Sequence, residues 1–231
     1  MSAVAPVITI DGPNASGKGT VCQLVAAQFG WHLLDSGALY RLVGLDASQR
    51  GVGFDDVGAL VEIASGLDVT FTAGPMGEPA GVQLNGEDVS VTLRTETVGE
   101  YASRVAVVPV VRDALLERQR AFAEPPGLVA DGRDMGTVVF PGAELKIFLT
   151  ASAEVRALRR YKQLSEKGID VNLATLSLEI AQRDRRDRER ETAPLEPAPD
   201  ALEIDTSVLS IEAVLARVLA EARSRGLCPV S

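Results

Sequence analysis

Residues Ile8–Thr20 read ITIDGPNASGKGT. The apolar run Val7–Asp11 leads into Gly12-x4-Gly17-Lys18, and a stretch with helical spacing, Lys18–Phe29, follows. Strand, glycine-rich turn and helix in that order are the context of a phosphate-binding loop. Gly12 and Gly17 let the backbone curl until its N–H groups point inward. Those amides, with the positive end of the helix behind them, suit β- and γ-phosphates. Lys18 adds a cation able to follow a transferring phosphoryl group. A strand–helix turn with no ligand is the plain alternative, and the strand, spacing, lysine and helix together argue against it.

The chain continues in the same manner. Trp31–Leu34, Leu128–Asp131, Leu145–Leu149 and Leu202–Asp205 are short and apolar, as strands covered on both faces should be. Arg104–Ala123 and Glu154–Lys167 read as helices between them. In a last helix Ser210 caps, Glu212 sits in the first turn, Val214, Leu215, Val218, Leu219 and Ala222 form the stripe, and Gly226 ends it. This alternation predicts an α/β fold with a parallel sheet covered by helices. Residues 66–100 break the rhythm. Val69–Thr72 and Val82–Leu84 alternate like strands, Asn85-Gly86 is a hairpin turn, and Gly and Pro crowd Gly74–Gly81. A small antiparallel insert is expected there, and Pro194–Ala201 reads as a stiff connector.

Composition narrows the function. With 231 residues, 46% apolar and 24% charged, the chain can bury a core without disulfides or metal. A disordered chain, a collagen-like repeat and a coiled-coil rod are excluded. A net charge of −9 argues against a nucleic-acid binder. Residues 151–192 hold ten Lys/Arg against eight Asp/Glu, and the remainder thirteen against twenty-four. An acidic body with one arginine-dense segment fits a small anionic ligand held locally. Cys22 and Cys228 form no disulfide framework, which suits a reducing cytoplasm. MSAVAPVITIDG lacks a basic leader, and no apolar run approaches the ~18 residues of a membrane span. No interface stripe is visible, so a monomer is the expectation.

Two further clusters lie at strand ends, where open α/β sheets bind ligands. LLDSGALYR (Leu33–Arg41) offers Asp35, Ser36 and Gly37 at a strand–helix junction, with Arg41 farther along the helix. Helix capping by Asp35 or Ser36 is compatible with a binding role. LVADGRDMGTVVFP (Leu128–Pro141) ends its strand in Asp131-Gly132-Arg133-Asp134. Asp131 suits magnesium-bound water beside the phosphate loop, Arg133 a bidentate phosphate contact, and Asp134 a base amino group. AQRDRRDRERE (Ala181–Glu191) is the densest charge run. Helical spacing puts Arg183, Arg186, Asp187 and Arg190 on one face and Asp184, Arg185, Arg188 and Glu191 on the other. A solvated, ion-paired helix is the bland reading. The phosphate loop favours a mobile lid whose arginines stabilise transferring phosphate and exclude water, with Arg156, Arg159 and Arg160 serving the same lid. His32 reads as structural, since transfer between phosphates needs no histidine base.

Taken together, DGPNASGKGT, LLDSGALYR, ADGRDMGTVVFP, KIFL and RDRRDRER resemble, in order and spacing, the bacterial cytidylate kinases of the nucleoside monophosphate kinase family. The likeness runs from about Ala5 to Leu227. It implies a P-loop NTPase-type five-stranded parallel sheet with helices on both faces. The core would comprise residues 1–65, 101–155 and 193–231, with an inserted β subdomain at 66–100 and a lid at 156–192. The implied reaction is transfer of the ATP γ-phosphate to CMP or dCMP with Mg2+. Gly12, Pro13, Asn14, Ala15, Ser16, Gly17, Lys18, Gly19, Thr20 and Arg160 would hold ATP. Ser36, Ser103, Arg112 and Asp134 would line the cytosine pocket, and Arg41 and Arg133 would hold the acceptor phosphate. Arg183 and Asp187 would meet the sugar, and Arg190 the base or phosphate. Lys18, Arg133, Asp131 and Arg190 are the catalytic candidates. A P-loop kinase for another monophosphate or a shikimate-type acceptor is the alternative, and a non-catalytic ATP-binding switch stands as a third reading.

Overall fold

The computed structural model describes residues 5–72, 81–166 and 168–228. Strand β1 (Val7–Asp11) enters the glycine-rich loop, and α1 (Lys18–Phe29) leaves it. Then come β2 (His32–Asp35) and α2 (Ser36–Gln49), the latter capped by the Asp35 carboxylate, which accepts from the Ala38 N–H at 3.0 Å. Helix α3 (Val57–Ser65), strands β3 (Val69–Thr72), β4 (Gly81–Leu84) and β5 (Glu87–Asp88), and helices α4 (Glu96–Val105) and α5 (Pro109–Arg120) follow. Strand β6 (Leu128–Gly132) ends in a π-helical turn (Met135–Val139). The chain closes with β7 (Leu145–Thr150), α6 (Ala153–Glu166), α7 (Leu173–Glu189), β8 (Leu202–Asp205) and α8 (Ile211–Ser224).

The chain divides into two compact units, Met1–Leu34 with Ala123–Ser231, and Asp35–Phe122. In the first, five strands lie in the order β2-β6-β1-β7-β8. Strand β1 pairs in parallel with β6 (Ile10 opposite Asp131) and with β7 (Ile10 opposite Ile147), and β8 pairs in parallel with β7. Ile8, Ile10, Val129, Leu145, Ile147, Leu149 and Ile204 of the sheet are buried with Val21, Val25 and Phe29 of α1 and Val214, Val218 and Ala222 of α8. An apolar strand flanked by apolar strands on both sides belongs in the middle of a sheet. That position carries the C-terminal ends of β1 and β6 side by side, so the phosphate loop and the Gly132–Asp134 segment emerge together.

In the second unit, α2 packs on α4 and α3 on α5. Strands β3, β4 and β5 form the expected antiparallel insert. Asn85 (φ +51°) and Gly86 (φ +82°) both take the positive φ that a tight two-residue hairpin turn requires. The turn is tied to α2, because the buried Asp46 carboxylate accepts from Asn85 Nδ2 at 3.1 Å and from Arg50 Nε at 2.9 Å.

Three expectations are corrected. Arg104–Ala123 is not one helix: α4 stops at Val105, and α5 begins with Pro109 at its first position. Proline lacks the N–H to continue a helix but suits its opening. The strand expected from Trp31 begins at His32, whose N–H donates to Gly127 O at 2.9 Å. The charged face of α7 is also rotated. Asp184 and Asp187 are buried, Arg186 is exposed, and Arg190 lies beyond the helix in extended backbone (φ −66°, ψ 136°). Most of Gly74–Gly81, and Lys167 of the expected helix Glu154–Lys167, lie outside the described residues.

Candidate active site

The phosphate loop is shaped from below and from outside. Gly12 has φ +148°, and a Cβ there would sit 2.0 Å from the Leu149 carbonyl oxygen of β7, so only glycine fits the turn over the sheet. Ala15 (φ +59°) and Gly17 (φ +92°) continue the curl. Two loop carbonyls are pinned outward. Asn14 O accepts from Arg156 Nη1 at 3.2 Å, and Ser16 O accepts from Thr206 Oγ1 at 3.0 Å and Arg159 Nη1 at 3.4 Å. In a trans peptide the C=O of one residue and the N–H of the next point in opposite directions. Fixing those carbonyls therefore turns the Ala15 and Gly17 N–H groups to the inner side, which makes an anion nest at the N-terminus of α1. The Ser16 hydroxyl is buried there with no hydrogen bond to the chain.

The inner edge carries charge. Lys18 is 8% exposed; its Nζ donates to Pro13 O at 3.3 Å and lies 3.9 Å from Asp131 Oδ1 at the end of β6. A Cβ on Gly19 would lie 3.3 Å from Asp131 Oδ2, so the glycine after the lysine leaves room for this carboxylate. Asp11, the last residue of β1, turns both oxygens to the opening of the π-helical turn. It accepts from Met135 N at 2.9 Å and Gly136 N at 2.8 Å. Burial pushes its pKa up to about 7 from 3.8, against the two N–H bonds and with help from Asp134 and Asp131.

The segment after β6 meets the end of α7 in two ion pairs. Arg133 Nε donates to Asp187 Oδ2 at 3.0 Å, and Arg190 Nη2 lies 3.7 Å from Asp134 Oδ1. Burial alone would lower the Arg133 pKa, but Asp187 reverses that and, with Asp131 and Asp11, holds it above its ordinary value. Asp187 is correspondingly lowered: burial opposes ionisation, and Arg133, Arg183 and Arg190 outweigh it. A third, buried pair joins α6 to α7, with Arg156 Nη1 donating to Asp184 Oδ1 at 3.0 Å and Nη2 to Oδ2.

In the Asp35–Phe122 unit, Ser36 opens α2 and its Oγ donates to Gln119 Oε1 at 2.6 Å. Arg41 Nη1 donates to Leu93 O at 2.8 Å and Thr95 O at 3.1 Å. Ser103 Oγ donates to Gly99 O at 3.2 Å. Arg112 is buried, with its guanidinium 5.5 Å from the centre of the Tyr40 ring and Nη1 donating to Ala106 O at 3.2 Å.

The family model described as "Cytidylate kinase" matches residues 8–224. This chain belongs to the cytidylate kinase family. Relatives called cytidylate kinase include one from Aeromonas hydrophila, 59% identical over 225 residues and covering 97% of each chain. One from Pseudomonas putida is 59% identical over 227 residues, which is 98% of this chain and all of that protein. One from Stutzerimonas stutzeri is 60% identical over 222 residues, 96% of this chain and 97% of that one.

Within this cytidylate kinase fold, the sequence-predicted residues fall into small groups. Lys18 and Asp131 lie together at the loop, Arg133 with Asp187, and Asp134 with Arg190. Arg160 donates to Gln163 within α6, and Thr20 is exposed on α1. Arg156 and Arg159, expected to serve the lid, donate to loop carbonyls. Sequence reasoning missed Asp11, Thr206 and Gln119. Asp11 did leave a signal, since a carboxylate closing an otherwise apolar, doubly covered strand needs buried partners. Gln119 and Thr206 are fixed by contacts distant in the chain and left none.

Proposed function

We propose that the chain transfers the γ-phosphate of ATP to CMP or dCMP, giving ADP and CDP or dCDP. The carrying observation is the inward-turned amide nest at Ala15 and Gly17 with Lys18 beside it, in a cytidylate kinase chain. The nest fits a triphosphate, because the Gly12 cradle has no room for a side chain and the Ser16 hydroxyl has no protein partner. The loop Gly12–Thr20 and Arg160 are assigned to ATP. Lys18 holds positive charge on the moving phosphoryl group, and positioning with electrostatics carries the rate. Among the described residues no cluster of three metal-ligating side chains gathers. Asp131, beside the loop, is the residue that would hold magnesium through water, and the ion would supply positive charge to the nucleotide phosphates.

For the acceptor, Ser36, Ser103 and Arg112 are assigned to the cytosine ring and Arg41 to the phosphate. In the other unit Asp134 is assigned to the base amino group, Arg133 to the phosphate, Arg183 and Asp187 to the sugar, and Arg190 to the base or phosphate. The pairs Arg133–Asp187 and Asp134–Arg190 keep these charges compensated until substrate groups replace the partners. Residues 156–192 are assigned as the lid, 66–100 as the inserted subdomain, and the remainder as the core. Cys22 and Cys228, joined in no disulfide among the described residues, suit the cytoplasm. A monomer acting on small molecules, without nucleic acid or membrane, completes the reading; no described helix is long and apolar enough to cross a membrane.

An ADP-release assay with ATP, magnesium and CMP, dCMP, UMP, AMP, GMP, dTMP or shikimate tests it. Turnover is expected with CMP and dCMP and weak turnover with UMP. Preference for another acceptor overturns the base-site assignment. ATP binding with no turnover on any acceptor overturns the kinase reading.

A further inference from the structure

Ser36 and Gln119 are both almost fully buried, 3% and 1% exposed. The Ser36 hydroxyl donates to Gln119 Oε1 at 2.6 Å. The orientation of the Gln119 amide is set from its other end: Nε2 donates at 3.3 Å to the carbonyl of Leu115, one turn earlier on α5. Turning the amide over would put its oxygen against the Leu115 oxygen with no proton between them. A hydroxyl carries one proton and two lone pairs, and a glutamine oxygen offers only lone pairs. The Ser36 proton is therefore committed to Gln119, and what Ser36 retains for any other partner is acceptor capacity.

We propose that Gln119 determines base specificity by holding Ser36 as an acceptor-only hydroxyl, which favours a pyrimidine edge bearing an exocyclic amino group over one bearing a carbonyl. This rests on the assignment of Ser36 to the base. Cytosine carries the amino donor at the position where uracil carries an oxygen. A donor meets the Ser36 lone pairs directly. The uracil oxygen meets them acceptor against acceptor, and Ser36 can donate to it only by abandoning Gln119 Oε1, which is then buried without a partner. Sites whose buried polar groups lose their partner with the wrong substrate discriminate strongly. Gln119 is thus a positioning residue that acts through Ser36 and touches no substrate.

The test compares kcat/KM for CMP and UMP in the wild type, Gln119→Met, Gln119→Leu, Gln119→Glu and Ser36→Ala, with ATP titration and thermal melting to qualify each variant. Met and Leu release the Ser36 proton, so the CMP-to-UMP ratio falls by about tenfold or more, chiefly through better use of UMP. Gln119→Glu presents an accepting oxygen to Ser36 whether its carboxyl is ionised or protonated, so the ratio stays within about threefold of wild type. Combining Ser36→Ala with Gln119→Met gives no change in the ratio beyond Ser36→Ala alone. The proposal is overturned if the Met and Leu variants keep the wild-type ratio, or if Glu lowers it as much as they do. An unchanged ratio in Ser36→Ala overturns it by removing Ser36 from the base, with CMP kinase activity standing. A wild type inert towards CMP overturns the functional reading itself. If one apolar variant does not fold, the other supplies the comparison.

Discussion

At the scale of single residues, Asp11 carries a burden that its neighbours explain. It must accept from Met135 and Gly136 to fix the segment holding Arg133 and Asp134, yet it sits buried near two other carboxylates, Asp131 and Asp134. Its folded pKa of about 7 lies above the ordinary 3.8. For a raised acid, the stabilisation is fully present below the unfolded value and is lost as pH rises through the folded one. Each pH unit between them costs at most about 1.4 kcal/mol. Asn at position 11 removes the titration but sets an amide NH2 against one of the two backbone donors, a loss of about 1 kcal/mol. Denaturant unfolding from pH 4.5 to 8 should therefore show the wild type losing its advantage over Asp11→Asn as pH rises. Parallel profiles would mean that Asp11 does not titrate in this range. Asp134 separates two roles in the same segment. Asp134→Ala should raise KM for CMP at least about tenfold while ATP affinity changes little, because a site left without the partner for the base amino group loses selectivity. Equal loss for both nucleotides would remove Asp134 from the base.

At the scale of elements, the helix pair α6–α7 shows where charge matters and where it does not. Arg156–Asp184 is buried and also fixes the Asn14 carbonyl of the phosphate loop; Arg185–Glu189 is exposed on α7. Removing one member of a buried pair leaves an uncompensated charge, costing roughly 3 kcal/mol, whereas an exposed pair contributes under about 1 kcal/mol. Asp184→Ala should therefore lower the denaturation midpoint strongly and weaken ATP binding, while Arg185→Ala changes neither. Similar small losses in both would show that the buried pair does not shape the loop. The same helices show what the sequence discloses. In AQRDRRDRERE nearly every position is charged, so spacing alone admits several faces, and only the packing of α7 on α6 selects Asp184 and Asp187 as inward. Strands β1, β6, β7 and β8 were legible because apolar runs bounded by turn residues leave no such choice. The break at Pro109 was signalled by the proline itself, but the apolar spacing on either side concealed it, and Arg104–Ala123 read as one helix. Ion-pair partners such as Arg133–Asp187 and Asp134–Arg190 join segments more than fifty positions apart, and no local pattern encodes them.

At the scale of the whole molecule, the charge distribution and the fold bear on one question, whether a chain with an arginine-dense segment also binds long polyanions. Residues 151–192 carry ten Lys/Arg, yet Arg156 is paired with Asp184, Arg185 with Glu189 and Arg190 with Asp134, inside a chain of net charge −9. Binding along DNA or RNA gains from releasing counterions with a row of exposed cations, and non-specific binders reach Kd values of about 10⁻⁴ to 10⁻⁶ M at physiological salt. Cations compensated within the protein gain little on such a surface. In the proposed lid they would meet a ligand small enough to replace their carboxylate partners one at a time. Fluorescence anisotropy with a labelled single-stranded or duplex oligonucleotide at physiological salt should accordingly show no saturable binding up to about 100 μM protein. Nucleotide turnover in the same buffer should persist. Saturation in the low micromolar range, steeply weakened by added salt, would show that the arginines of α6 and α7 present a continuous basic face, and the assignment of this segment to a small-molecule lid would fall.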